Sequence, residues 1–155
     1  MEGKVMLAGV LVLGGFLWSY LFLRQFLFNI FVAYPLIKRM RGLQEDLIGI
    51  GAVRYTRISD IVVILAGGVL LFLVIRFCPL YLIISFAVGA VGALAFIAFR
   101  MRPSNRESFD LFATAYYRFI PDDELRTLLY NKEYKKIKPR LKAMHIRGTF
   151  VPEFK

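Results

Sequence analysis

Apolar residues are concentrated in three long stretches within the first two-thirds of the chain. Val5 to Leu23 holds nineteen residues without a charge, Ile61 to Ile75 holds fifteen, and Leu80 to Phe99 holds twenty. A transmembrane helix needs about 20 predominantly apolar residues to cross about 30 Å of hydrocarbon, and in lipid it must satisfy its backbone hydrogen bonds internally. The pattern therefore predicts an all-α integral membrane protein with three transmembrane helices.

The first stretch is longer than one upright span requires. Val5 to Ile37 is 33 residues, or about 50 Å of α-helix, whereas two crossings would need about 40 residues. Arg24, Gln25 and Asn29 divide this stretch. Arg24 either extends to the headgroups from the cytoplasmic end of the span or is a functional charge within the bilayer.

The second and third stretches are predicted to form a hairpin. Ser59 and Asp60 would cap the second span, and Pro79 would begin the third. The predicted spans are about 5–34, 58–76 and 79–100, within a membrane domain 1–100 that is followed by a tail 101–155. Small residues allow close helix packing in lipid, and we expect them to pack within the hairpin or against another subunit: Gly67, Gly68, Gly89, Gly92 and Ala93.

The distribution of charge predicts the orientation. The chain has 21 Lys and Arg against 11 Asp and Glu, a net charge of +10. Three spans place the N-terminus and the second connection on one face, with only Lys4 and Arg76, and eighteen basic residues on the other. The positive-inside rule then predicts an N-out, C-in protein with a cytoplasmic tail. We expect a multi-pass inner membrane protein of a bacterial cell, with a eukaryotic organelle membrane as the alternative.

The tail is predicted to be small and helical. Ser104 and Glu107 are spaced as a capping box before an aromatic-rich helix. Pro121 would end that helix, and the acidic run 122–124 suits the first turn of the next one. Because fewer than about 70–80 residues rarely bury a sufficient core, we expect the tail helices to need a further surface to pack against, preferably on another subunit.

A basic run near the end of the chain, interrupted at Pro139, is expected to contact an acidic surface. That surface would be anionic lipid or an acidic cytoplasmic protein, and nucleic acid is not expected. The residues concerned are Lys132, Lys135, Lys136, Lys138, Arg140 and Lys142. The alternative for the run is a merely solvated face.

The sequence offers few side chains for catalysis. His145 and Cys78 are the only histidine and cysteine, so neither a metal site nor a nucleophilic pair is expected, and we expect no cofactor and no enzyme activity. The leading hypothesis is a non-enzymatic subunit or adaptor of a larger membrane complex, for example of a secretion, conjugation or energy-transducing type, associated with other membrane subunits. The alternative is a self-oligomerising, holin-like pore. A membrane enzyme would need a polar site among Arg24, Gln25, Asn29 and Asp60.

Overall fold

The protein is all-helical. The structure, a computed structural model, describes residues 2–43 and 47–154; it is 82% helix, and the described residues contain no strand. Three helices are long and apolar enough to cross a membrane, at Val5–Leu43, Ile50–Phe77 and Leu80–Arg100. The prediction of an all-α membrane protein with three such helices is confirmed at this level.

The chain forms two compact units. Unit 1 comprises residues 1–27 and 58–100, and unit 2 comprises residues 28–57 and 101–155. Unit 1 contains most of the apolar helical sequence. Unit 2 contains seventeen of the 21 basic residues and nine of the 11 acidic ones.

The first long helix contains two π-helical turns. Its α-helical parts are α1 (Glu2–Trp18), α2 (Arg24–Phe28) and α3 (Tyr34–Leu43), which alternate with the π turns Ser19–Leu23 and Asn29–Ala33. The helix thus continues to Leu43, beyond the predicted end of the span near residue 34. The helix continues past Pro35, which has no N–H to donate. In the π turn before it, hydrogen bonds span five residues, and the Tyr34 N–H donates to the Asn29 carbonyl.

Within unit 1, the third apolar helix packs on the first. Helix α5 (Leu80–Arg100) buries one face against α1. Two glycines allow the backbones to meet: an added Cβ on Gly15 would lie 2.0 Å from the Phe86 carbonyl oxygen, and one on Gly89 would lie 1.8 Å from that of Val12. The buried positions recur every three or four residues, as a helix face requires: Leu82, Phe86, Gly89, Ala93 and Ile97.

The second apolar helix begins earlier than predicted. Helix α4 runs from Ile50 to Phe77, so Ser59 and Asp60 lie inside it and the predicted cap there is wrong. The helix extends upstream because Ala52 and Thr56 are both fully buried within unit 2. Downstream, most large apolar side chains of α4 are exposed, as expected of a surface that faces lipid.

Unit 2 builds one core from both of its sequence segments. Helices α6 (Arg106–Tyr116), α7 (Asp123–Tyr130) and α8 (Tyr134–Ala143) supply one part, and residues 28–57 supply the rest. The partner surface expected for the tail helices is thus present in the same chain. Fully buried large side chains come from both segments: Leu36, Met40, Ile48, Phe109, Phe112, Tyr116, Ile120, Leu125, Leu129, Ile137, Leu141 and Phe150.

Two details of the tail differ from the sequence prediction. Asn105, not Ser104, caps α6, because its Oδ1 accepts from the Glu107 N–H at 3.1 Å. Helix α8 runs through Pro139 without a break. Proline inside a helix costs about 3 kcal/mol, but the buried Ile137 and Leu141 offset this, since each such side chain contributes about 1.5–3 kcal/mol.

Helices α7 and α8 end in the same way. After α7 the Lys132 N–H donates to the Leu129 carbonyl and the Glu133 N–H donates to the Leu128 carbonyl, which is the Schellman arrangement. Lys132 has a φ of 58° and His145, at the equivalent position after α8, has a φ of 61°. Both positions normally favour glycine.

Candidate functional site

Two adjacent clefts on unit 2 form the candidate site. The first has a volume of about 330 Å³ and is lined by Arg106, Lys132, Glu133, Tyr134, Lys135, Lys136 and Phe154. The second, of about 430 Å³, is lined by Tyr134, Lys135, Lys138, Thr149, Val151, Pro152, Glu153 and Phe154. Three residues line both clefts: Tyr134, Lys135 and Phe154. We call this region the basic surface.

Helix α8 positions the lysines of this surface. Tyr134, Ile137 and Leu141 are spaced three and four residues apart and are buried, so they form one face of the helix. The lysines occupy the remaining positions and therefore face outward. Lys135 and Lys138 are exposed and line the clefts.

The C-terminal segment supplies the apolar part of the surface. Phe150 is fully buried. The Phe154 ring lies 5.5 Å from the Phe109 ring, edge to face, and 5.6 Å from the Tyr134 ring. The segment is therefore held by the aromatic side chains of α6 and α8. The sequence analysis did not predict this part of the site, although the closely spaced Phe150 and Phe154 were a usable signal.

Tyr134 is fixed by a hydrogen bond. Its hydroxyl donates to Asp110 Oδ1 at 2.5 Å. Burial raises the pKa of Tyr134, and the bond to Asp110 raises it further, so the phenol stays protonated at physiological pH. The Tyr134 side chain, which lines both clefts, is thus held in place by Asp110.

The six basic residues predicted from the sequence do not share one environment. Lys132 pairs with Asp110 at 3.5 Å, and Lys136 pairs with Glu133. Among the described residues Lys135, Lys138 and Lys142 form no ion pair and are exposed. Of these three, Lys142 lines neither cleft.

Arg140 belongs to the framework of unit 2. Its guanidinium contacts Asp122 Oδ2 and Glu124 Oε2, each at 2.7 Å. Asp122 also caps α7, since its Oδ1 accepts from the Leu125 N–H at 2.7 Å. The Arg140 hydrogen bond lowers the pKa of Asp122 and raises that of Arg140. Asp123 and Glu124 lie in the first turn of α7, as predicted, whereas Asp122 is its cap. The ion pairs of these residues were not predicted.

The small residues of the apolar helices also lie in different environments. Gly89 contacts the α1 backbone, Ala93 is fully buried, and Gly67 packs against the Trp18 and Phe22 side chains. A Cβ added to Gly68 or Gly92 would meet nothing within 4 Å. Gly15 also lies at the close approach of α1 and α5, although it was not among the predicted residues.

Arg24 is exposed in unit 1, with its guanidinium 5.3 Å from the centre of the Tyr20 ring. Among the described residues no three His, Cys, Asp or Glu side chains are grouped to hold a metal ion. Comparison of the chain with family models, with curated proteins and with solved structures gives no match. The basic surface therefore has to be interpreted from its own geometry.

Proposed function

We propose that this protein is a non-enzymatic subunit or adaptor of a larger membrane complex, and that its basic surface binds an acidic segment of a partner protein. The observation that carries the proposal is the pair of clefts. Each has apolar contacts from Tyr134 and Phe154 and exposed charge from Lys135. A cationic, partly apolar cleft complements a peptide that alternates acidic and apolar side chains.

The shape of the surface favours a protein over a lipid bilayer. A bilayer attracts basic residues through its surface potential, at about 1 kcal/mol per Lys or Arg, and does not require clefts. Lys135, Lys138 and the Phe154 side chain surround concave volumes, which a peptide side chain can occupy. Binding to anionic lipid is therefore the competing outcome of the test.

We further propose that unit 2 lies in the cytoplasm and that the protein resides in a bacterial inner membrane. Unit 2 contains seventeen basic residues and unit 1 only four. Since Lys and Arg accumulate on the cytoplasmic side of membrane proteins, the charge supports this orientation. Cysteine labelling at exposed positions of unit 2, with a membrane-impermeant reagent on intact and opened cells, tests it.

The test of partner binding is a charge reversal with a matched control. The variant Lys135→Glu/Lys138→Glu changes two lysines that line the clefts and lack ion pairs among the described residues. The control Lys142→Glu/Arg147→Glu makes the same change in net charge at two exposed residues that line neither cleft. Each protein is purified from native membranes in mild detergent, and the associated proteins are quantified by mass spectrometry.

The wild type and the control should retain a stoichiometric partner, whereas the cleft variant should lose about tenfold or more of it, because like charges across an interface cost several kcal/mol. Binding of the wild type should weaken with salt as the Debye length falls from about 10 Å at 0.1 M to about 3 Å at 1 M. Recovery of the wild type as a lone monomer would refute the proposal. So would equal partner recovery with both variants, or charge-dependent binding to anionic vesicles alone.

A further inference from the structure

A further cavity in unit 2 is lined by three arginines from three different elements. It has a volume of about 520 Å³ and lies apart from the clefts of the basic surface, with no lining residue in common. Arg41 comes from the last turn of α3, Arg118 from the 3-10 turn Tyr117–Phe119, and Arg126 from α7. The remaining lining residues are Ile48, Gly49, Ile50, Phe119, Ile120 and Pro121.

The walls of this cavity are fixed by hydrogen bonds. The Gly49 N–H donates to the Phe119 carbonyl at 2.8 Å, which joins the start of α4 to the 3-10 turn. Arg126 Nε and Nη2 both donate to the Ile120 carbonyl, at 2.9 and 2.8 Å. Arg126 Nη1 also contacts Asp123 at 2.9 Å. Arg126 therefore mainly holds the wall, and its charge is offset by Asp123.

The charge of this cavity comes mainly from the other two arginines, Arg41 and Arg118. Arg118 Nε donates to the Tyr117 hydroxyl at 3.1 Å, and this bond raises the pKa of Arg118. This bond therefore orients the Arg118 guanidinium. Arg41 is exposed at the end of α3. No acidic side chain of the described residues pairs with Arg41 or Arg118.

We propose that this cavity binds a phosphate-bearing anion. Arginine presents a planar fork of N–H donors that matches phosphate oxygens two at a time, whereas lysine is a point charge. The basic surface uses mainly lysines and this cavity only arginines, so the two regions suit different ligands. The volume lies within the range of about 300–1,000 Å³ that is usual for small-molecule sites. Ile48, Ile50 and Phe119 offer apolar contacts for the remainder of the ligand.

The phosphate could belong to a soluble molecule or to a lipid headgroup, and the experiment separates these sources. The full chain is placed in nanodiscs of zwitterionic phosphatidylcholine and titrated with inorganic pyrophosphate by isothermal calorimetry. In a second arm, nanodiscs that contain phosphatidic acid replace the added pyrophosphate, and protection of the arginines from phenylglyoxal is mapped by mass spectrometry. Saturable pyrophosphate binding indicates a soluble ligand. Protection by phosphatidic acid alone indicates a headgroup. Either result supports the site, and the absence of both overturns it.

Three single variants and one matched control assign the binding to the cavity. Arg41→Gln and Arg118→Gln should each weaken phosphate binding about tenfold or more, since a hydrogen bond to a charged group is worth about one to two factors of ten. Arg118→Lys should restore little, because it keeps the charge and loses the fork. The control, Arg39→Gln, removes an exposed arginine of α3, the helix of Arg41, that does not line the cavity. It should bind phosphate as the wild type does. Equal affinity in all four variants would refute the proposal.

One further variant keeps this inference separate from the proposed function. Lys135→Glu/Lys138→Glu should retain phosphate binding, since neither lysine lines the cavity; loss of binding there would assign the phosphate to the basic surface and overturn the proposal.

Discussion

The contact between α1 and α5 predicts that the same substitution, glycine to alanine, has opposite effects on stability at two positions of α5. An alanine Cβ at position 89 would lie 1.8 Å from the Val12 carbonyl oxygen and 2.9 Å from the Phe16 nitrogen. These are backbone atoms, which cannot rotate away as a side chain can. An alanine at position 92 would meet nothing within 4 Å. Both substitutions add one methyl group to α5, so they are chemically identical and differ only in their surroundings.

The two effects can be compared in magnitude. Alanine is favoured over glycine in a helix by about 1 kcal/mol, and this gain applies at both positions. At position 89 the helices must separate by about 1.6 Å to restore ordinary contact near 3.4 Å, and overpacking of this kind typically costs about 1–3 kcal/mol or more. Because the clash at position 89 is with backbone atoms, its cost lies toward the upper end of that range, and we expect Gly89→Ala to be destabilising by about 1–2 kcal/mol overall. Gly92→Ala should be neutral or stabilising by up to about 1 kcal/mol.

Trp18 provides the assay, because it is the only tryptophan and its ring lies 5.7 Å from the Phe86 ring of α5. Thermal unfolding of the full chain in mild detergent is followed by Trp18 fluorescence. Gly89→Ala should lower the midpoint and shift the emission in the folded state, whereas Gly92→Ala should do neither. If the two variants have the same midpoint and the same emission, the close approach of α1 and α5 is wrong.

Four further predictions concern unit 2. Asp122→Ala should lower the free energy of unfolding by about 2–4 kcal/mol, because it removes both a helix cap and the ion pair with Arg140. Asp122→Asn keeps the cap and should lower it by about half as much. Equal losses in denaturant titrations would exclude a contribution from the cap. Arg140 lowers the pKa of Asp122 below its ordinary value of 3.8. The stabilisation from this pair is therefore complete above pH 3.8 and is lost as the pH falls through the lower pKa of the folded state. Asp122→Asn should flatten the acid side of the plot of stability against pH, and an unchanged plot would contradict this. Lys132→Gly should raise the thermal midpoint, because the positive φ at this position costs a residue with a side chain about 1 kcal/mol. Lys132→Ala loses the charge but keeps this strain, so it should not raise the midpoint. A rise with both variants would indicate an effect of charge instead. A fragment 101–155 should show little helix by circular dichroism, because residues 28–57 complete its core, and a cooperatively unfolding fragment would refute that dependence.

The sequence was a good guide wherever one periodic signal dominated. Long apolar runs fix the three helices because hydrophobic length is a property of the local sequence. The helix starts after Pro121 and around residue 105 follow from capping side chains, although the cap was misplaced by one residue, from Ser104 to Asn105. The amphipathic spacing of Tyr134, Ile137 and Leu141 likewise follows from the helix period.

Prediction failed where tertiary contacts extend a helix beyond its local signals. Ser59 and Asp60 resemble a cap, yet α4 starts at Ile50 because Ala52 and Thr56 are buried. The Thr56 hydroxyl lies 2.9 Å from the Tyr116 hydroxyl, sixty residues away, and no local pattern reveals such a pair. The same holds for Arg140, whose partner Asp122 lies eighteen residues upstream.

The composition of unit 2 bears on the proposed topology independently of charge. Residues 28–57 and 101–155 share one core, and a compact core cannot be divided by a bilayer. The shared core therefore supports the proposal that both segments lie on the same side of the membrane. The chain between them, residues 58–100, contains the apolar part of α4 and all of α5, which is the length for two crossings and a return to the starting side. The shared core thus supports the proposed pair of crossings between the two segments, while the excess of basic residues in unit 2 is the separate reason for proposing that this side is the cytoplasm.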